Sequence, residues 1–227
     1  QGVSDQEMLK TFNCGESIET FDESKLLLNY NNLTFYDHQG THFAPHHPAY
    51  LDLTGNSNHD PDLSKKLLAE AGFPDGFETT LKLPPPAYAR KGGEIIAAQL
   101  RKVGIQTVIT NLEWSQWLEE VFRNKDYGLT IVAHTEPFDI GIYGRPDYYF
   151  QYDRKDFRDL MTKLNLAADP KKRTMYLHAA QRQISLDYVN GFLFQLAKTG
   201  VANAKIVGLW ENSPTQANDL TNVRWAE

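Results

Sequence analysis

The residues able to do chemistry in this sequence fall into three short runs and one looser cluster. The runs are Pro84-Pro85-Pro86-Ala87-Tyr88, Glu113-Trp114 and His134-Thr135-Glu136-Pro137-Phe138-Asp139. They offer a phenol, an indole, a phenyl ring, an imidazole and several carboxylates. Such a set suits recognition of a ligand with an ammonium group and apolar side chains: rings cover the apolar parts, and an acid beside the amine makes a charge-assisted hydrogen bond. Glu136 and Asp139 would also be the acid/base pair if the chain were a hydrolase. Catalytic signatures are missing, however: there is no G-x-S-x-G, H-E-x-x-H, G-x-x-x-x-G-K or G-x-G-x-x-G. The chain therefore reads as a binding protein rather than an enzyme, with no cofactor expected. The looser cluster is histidine. Five of the seven lie between His38 and His59. His42, His46 and His47 could together offer imidazoles to a transition metal, although a His/Pro-rich surface loop is the simpler account.

Each of these residues also has an ordinary structural reading. Trp114 opens an amphipathic helix and would serve equally as core. Glu136 and Asp139 would cap turns. His134 would be a hydrogen-bonded rim residue. The Tyr148-Tyr149-Phe150 run reads as packing.

Composition narrows the field. The chain has 227 residues, 41% of them hydrophobic and 23% charged, which is ordinary for a globular protein with a real core. Its net charge of -6 argues against a nucleic-acid partner, which would need a basic face. No apolar run approaches the roughly 18 residues that span a bilayer, so no membrane insertion is expected of this segment. The sole cysteine, Cys14, excludes an intrachain disulfide and a cysteine metal cage. No amino-terminal signal peptide is legible. A start at Gln1-Gly2 without Met reads as a mature form or a fragment.

The elements that must position the three runs are legible from Asp60 onward. Asp60-Pro61 is an N-cap followed by proline at the first helical position. Leu63, Leu67, Leu68 and Ala71 follow at helical spacing, Gly72 ends the helix, and Pro74-Asp75-Gly76 is a turn. Phe77 to Leu83 reads as a strand, Tyr88 to Val103 as a helix and Ile105 to Leu112 as a strand. Trp114, Trp117, Leu118, Val121 and Phe122 mark a second helix, and Tyr127 to Ala133 a third strand. This β-α-β-α-β order implies parallel strands. Ligands sit outside the carboxyl ends of such strands, where the three runs should converge. Further on, Phe157, Leu160, Met161 and Leu164 outline a helix. Asp169-Pro170 caps another that runs to about Asp187. Gly191 to Val201 and Lys205 to Trp210 read as strands. Before Asp60 the pattern is weak: Ser24 to Tyr30 is at most a short helix, and Gly40 to Asn58 a loop.

Taken in order, Asp60-Pro61, Leu67-Leu68-Ala69-Glu70-Ala71-Gly72-Phe73-Pro74-Asp75-Gly76-Phe77, Ala98-Gln99-Leu100 through Val103-Gly104-Ile105, Leu112-Glu113-Trp114 and Asp126-Tyr127 resemble the peptide, nickel and opine binding proteins of ABC importers, bacterial extracellular solute-binding family 5. The resemblance implies an α/β fold: a periplasmic-binding-protein-like lobe with a partly parallel sheet flanked by helices. It also implies a two-lobed molecule that closes on oligopeptides or similar amine-bearing solutes outside the cytoplasmic membrane, in the periplasm or tethered there. Such a molecule delivers its ligand to a membrane permease. In the family, an acid in the loop after the third strand meets the peptide's amino terminus, which lands here on Glu136 or Asp139. Intact members are longer, so the chain is expected to be the second lobe. Its expected division is a poorly matched segment 1–41, a ligand-binding lobe 42–210 and a return segment 211–227. The candidate ligand contacts are Tyr88, Trp114, His134, Glu136, Phe138 and Asp139.

Overall fold

The computed structural model describes residues 40–45, 47–134, 139–196, 202–209 and 219–226, and the backbone of 36–38. The short helix expected at Ser24 to Tyr30, most of the return segment, and the site candidates Glu136 and Phe138 lie outside these residues.

The first helix, α1, is Pro61–Glu70. Asp60 accepts a hydrogen bond from the Leu63 N–H at 2.8 Å, so one of the four otherwise unpaired donors of the first turn is satisfied. Gly72 takes φ +90°, and the Phe73 N–H returns to the Leu68 carbonyl, which closes the helix. The apolar spacing of α1 is only partly covered. None of its residues is buried, and Leu63 and Leu67 are 48% and 53% exposed.

The α/β unit follows. Strand β2 (Phe77–Leu83; β1 is Tyr36–His38) is joined by α2 (Ala87–Lys102) to β3 (Ile105–Asn111). The two strands are parallel and in register from Phe77↔Ile105 to Leu83↔Asn111. Gly76 and Gly104, both at positive φ, lie back to back just before them. A Cβ on Gly76 would stand 1.9 Å from the Gly104 carbonyl oxygen, so only glycine fits. Leu81 and Leu83 face α2 and pack with Ala97, Ile109 and Ile131. The Gly92-Gly93 pair lies inside α2 without breaking it. Gly93 sits directly on the sheet, and a Cβ there would be 2.4 Å from the Leu83 Cδ1.

From β3 the chain passes to β4 through α3 (Trp114–Trp117), which continues as a π-helix over Leu118–Arg123. Trp117 and Val121 are buried with Leu112 and Tyr149, so this helix covers a second core. β4 pairs parallel with β2, which gives the strand order β3-β2-β4. β4 is much shorter than the sequence pattern suggests: only Leu129–Thr130 are strand. At its start the Gly128 N–H donates to the Thr80 hydroxyl instead of a strand carbonyl, and at its carboxyl end the cause lies across the ladder. After Leu83 come three prolines, which have no N–H to offer, so β2 cannot carry the pairing further. The Ala133 N–H turns instead to the Tyr88 hydroxyl.

The remaining layer is a helix pair, α4 (Lys155–Leu166) and α5 (Pro170–Leu186), the latter capped by Asp169. Its core holds Phe157, Met161, Leu164, Ala180 and Ile184, with Phe43, Ala49, Ile140, Ile142 and Tyr143 from two irregular segments. One of these, residues 40–51, forms a strap across α5. Gln181, fully buried, holds the strap. Its Oε1 accepts from the Thr41 hydroxyl and the Leu51 N–H, both at 3.2 Å, and its Nε2 donates to the Ala49 carbonyl at 2.7 Å. Of the expected later strands, Phe194–Leu196 (β5) pairs antiparallel with β1, and Ile206–Val207 (β6) with Arg224–Trp225 (β7). Both pairings run across the boundaries expected at 41/42 and 210/211. Among the described residues, no helix is long and apolar enough to cross a membrane.

Candidate functional site

The strand order decides which of the three runs meet. With β2 in the centre and β3 and β4 on either side, the crossover reverses direction between β2 and β4, and the crevice of an open parallel sheet lies at that point. The loops after β2 and β4 therefore face each other there. The structure ties them with one hydrogen bond: the Ala133 N–H donates to the Tyr88 hydroxyl at 2.9 Å. Burial pushes the Tyr88 phenol up, only partly offset by that backbone bond, so it stays neutral and keeps its own proton for donation. Trp114 follows β3, on the far side of β2. It is 44% exposed and meets Trp117 edge-on at 5.8 Å. The structure thus unites Tyr88 with the loop after β4 and leaves Trp114 one strand away.

The indole that does structural work here is Trp117. Its Nε1 donates to the Thr130 hydroxyl at 3.0 Å, and that hydroxyl donates to the Lys82 carbonyl at 2.7 Å. On the same face the Lys82 ammonium, nearly buried, pairs with Glu120 at 2.8 Å and Asp126 at 2.9 Å. Hydrogen bonding to Glu120, more than to Asp126, raises its pKa against the effect of burial, so the charge is retained.

Asp139 is the most constrained of the candidates. It opens the turn Ile140–Gly144, with its carbonyl accepting from the Ile142 N–H at 2.8 Å. Its carboxylate, 17% exposed, lies between two imidazoles. His134 Nδ1 stands 3.0 Å from Oδ2, and His42 Nε2 stands 2.9 Å from Oδ1. The His42 contact is close, but Oδ1 makes no hydrogen bond of good geometry through it. Burial alone would raise the Asp139 pKa. The His134 hydrogen bond and the close approach of His42 outweigh it and hold the carboxyl well below the ordinary carboxylate range. Behind the cluster, His42 meets Phe43 and Tyr143 edge-on at 5.2 and 5.5 Å. The buried Tyr143 hydroxyl accepts from the Asn190 amide at 2.7 Å.

His42 belongs to the site, which the sequence did not reveal. It stands 97 positions before Asp139, and only the strap brings the two together. Two members of the histidine cluster, His42 and His47, engage different partners. His42 turns to Asp139, whereas His47 stacks on Phe43 at 4.1 Å and accepts from the Ala49 N–H through Nδ1. His46 lies outside the described residues. Among those described, no group of three His, Cys, Asp or Glu is placed to hold a metal. A separate open cleft of about 740 Å³ lies between the strap, the Ile140–Gly144 turn, α4 and α5. It is floored by Phe43, Ile140, Met161 and Leu177 and includes none of the strand-end candidates.

The family profile described as bacterial extracellular solute-binding proteins, family 5 Middle, matches residues 30–156. A dipeptide-binding protein of Escherichia coli (strain K12) is 28% identical over 153 residues, covering 58% of this chain and 28% of the relative. Heme-binding protein A of Haemophilus influenzae is 35% identical over 74 residues, 30% of this chain and 14% of that one. Among solved structures, a dipeptide binding protein from Pseudoalteromonas sp. SM9913 in complex with Met-Leu superposes with a TM-score of 0.65. It is 23% identical and matches 83% of this chain and 40% of its own, a likeness of fold alone. The chain thus spans less than a third of the curated relatives and under half of the solved one. With more than half of its residues under the family profile and the parallel β3-β2-β4 sheet expected of a binding-protein lobe, this chain belongs to the bacterial extracellular solute-binding proteins, family 5.

Proposed function

We propose that this chain is the ligand-capturing lobe of the substrate-binding component of an ABC importer, acting in the periplasm and passing its ligand to a membrane permease. Its ligand class is oligopeptides or similar amine-bearing solutes. The observation that carries the reading is the crevice between β2 and β4, where Tyr88 meets Ala133 and the adjacent His134 faces Asp139, in a chain of this family. A phenol with a proton to donate suits a peptide carbonyl. An acidic loop suits a terminal ammonium, with Glu136 and Asp139 as the two acids available. The hydrolase alternative loses support from the same geometry. A carboxyl held far below neutrality is a poor general acid or base at physiological pH.

Because the relatives are longer, this chain is expected to supply only part of the enclosure. A water-exposed amine–carboxylate pair contributes only about 0–1 kcal/mol, so binding by the 227-residue chain should be weak. The test is a titration followed by NMR, with trialanine and its N-acetylated form as probes. Saturable binding of trialanine, weakened by acetylation, is expected. Equal binding of both forms would refute the ammonium reading, and binding of neither would refute the peptide reading.

A further inference from the structure

Resting on that reading of the crevice, we infer that Asp139 is a positioning residue and not the acid that meets the ligand's ammonium: it orients the His134 imidazole and ties the loop after β4 to the strap through His42. Its two carboxylate oxygens are already divided. Oδ2 faces His134 Nδ1 at 3.0 Å, and Oδ1 faces His42 Nε2 at 2.9 Å. An ammonium arriving at this carboxylate would find both oxygens faced by imidazoles and little of the group open to approach. The carboxylate is also largely covered, at 17% exposure, by side chains of its own chain. Among the described residues, Tyr143, buried behind His42, is a further ionisable group against the cluster. It is engaged by Asn190 and pushed up by burial, so it brings no charge.

The chemical consequence lies in His134. A carboxylate cannot donate, so a neutral His134 facing it through Nδ1 must carry its proton on Nδ1 and leave Nε2 as the acceptor nitrogen. The Asp139–His134 contact therefore sets which nitrogen of the imidazole accepts and which donates. The His42 contact holds this arrangement to the strap, which Gln181 anchors on α5.

The test uses the 227-residue chain and reads the imidazoles directly. Long-range ¹H–¹⁵N correlation at pH 8 should show His134 as the Nδ1–H tautomer. Asp139→Asn offers one carbonyl oxygen and an NH₂, so it can no longer accept from both imidazoles, and the His134 or His42 pattern should shift toward the other tautomer. Wild-type His134 in the Nε2–H form, or an Asp139→Asn spectrum unchanged at both histidines, would overturn the inference. The second arm compares trialanine with N-acetyl-trialanine. Asp139→Asn should weaken both by the same factor and leave their ratio intact. Loss of the ratio in Asp139→Asn would mean that Asp139 is the ammonium partner, and the inference falls. If the wild-type chain binds neither peptide, the functional reading fails, while the tautomer measurement still decides the role of Asp139.

Discussion

Replacing Gln181 by leucine should loosen the strap that carries His42 to the site. Gln181 is fully buried, and its amide satisfies three strap groups at once: the Thr41 hydroxyl, the Leu51 N–H and the Ala49 carbonyl. Leucine has similar volume, so little cavity forms. The loss lies in the three orphaned polar groups, each costing about 1–3 kcal/mol when buried without a partner. Taken at the low end, to allow for relaxation of the strap toward water, the three together come to roughly 3 kcal/mol. For a domain of this size about 2–4 °C of melting temperature goes with each kcal/mol, so Gln181→Leu should lower Tm by roughly 6–12 °C. Denaturant unfolding and calorimetry would measure the total. Hydrogen exchange would locate it, because the Leu51 amide should lose protection while the amides of β2 and β3 keep theirs. A loss below about 1 kcal/mol, with Leu51 still protected, would refute the claim that Gln181 fastens the strap.

Three further outcomes follow from the same contacts. Asp139 has its pKa depressed in the fold, so its contribution is present above the unfolded value of about 3.9 and is lost as pH falls through the lower folded value. The acid limb of the stability curve should therefore flatten in Asp139→Asn, and an identical acid limb would contradict the ion pairing. Gly93→Ala should cost about 1–3 kcal/mol, because the added methyl meets Leu83 in a fully buried layer; a neutral result in urea unfolding would mean that α2 sits farther from the sheet. Lys82→Met should change stability by less than about 1 kcal/mol, because Glu120 and Asp126 are exposed enough to regain water; a loss of several kcal/mol would mean that the pair is far more desolvated than its geometry indicates.

The β-α-β-α-β unit was legible because its signals are local. Asp60 and Asp169 before proline do cap helices, and β2, α2 and β3 fall within a residue or so of the spans read from periodicity. β4 was overestimated because Tyr127 to Ala133 is strand-like in composition, whereas its length is set by a partner strand that runs into Pro84. The convergence of Tyr88 with His134 and Asp139 follows from parallel topology. The separation of Trp114 depends on strand order, which a linear sequence does not display. The pairing of His42 with Asp139 had no local signal at all: it rests on the strap and on the single buried amide of Gln181. Likewise α1 shows helical spacing that is only partly covered, since periodicity reveals an apolar face but not its partner.

The crevice between β2 and β4 is expected to take a peptide-like ligand. The most direct measurement is amide chemical-shift mapping of the 227-residue chain during titration with trialanine. Shifts that saturate and centre on residues 84–88 and 131–139 are predicted, with the α4–α5 cleft around Met161 and Leu177 silent. Saturating shifts confined to that cleft, or none at any attainable concentration, would contradict the account.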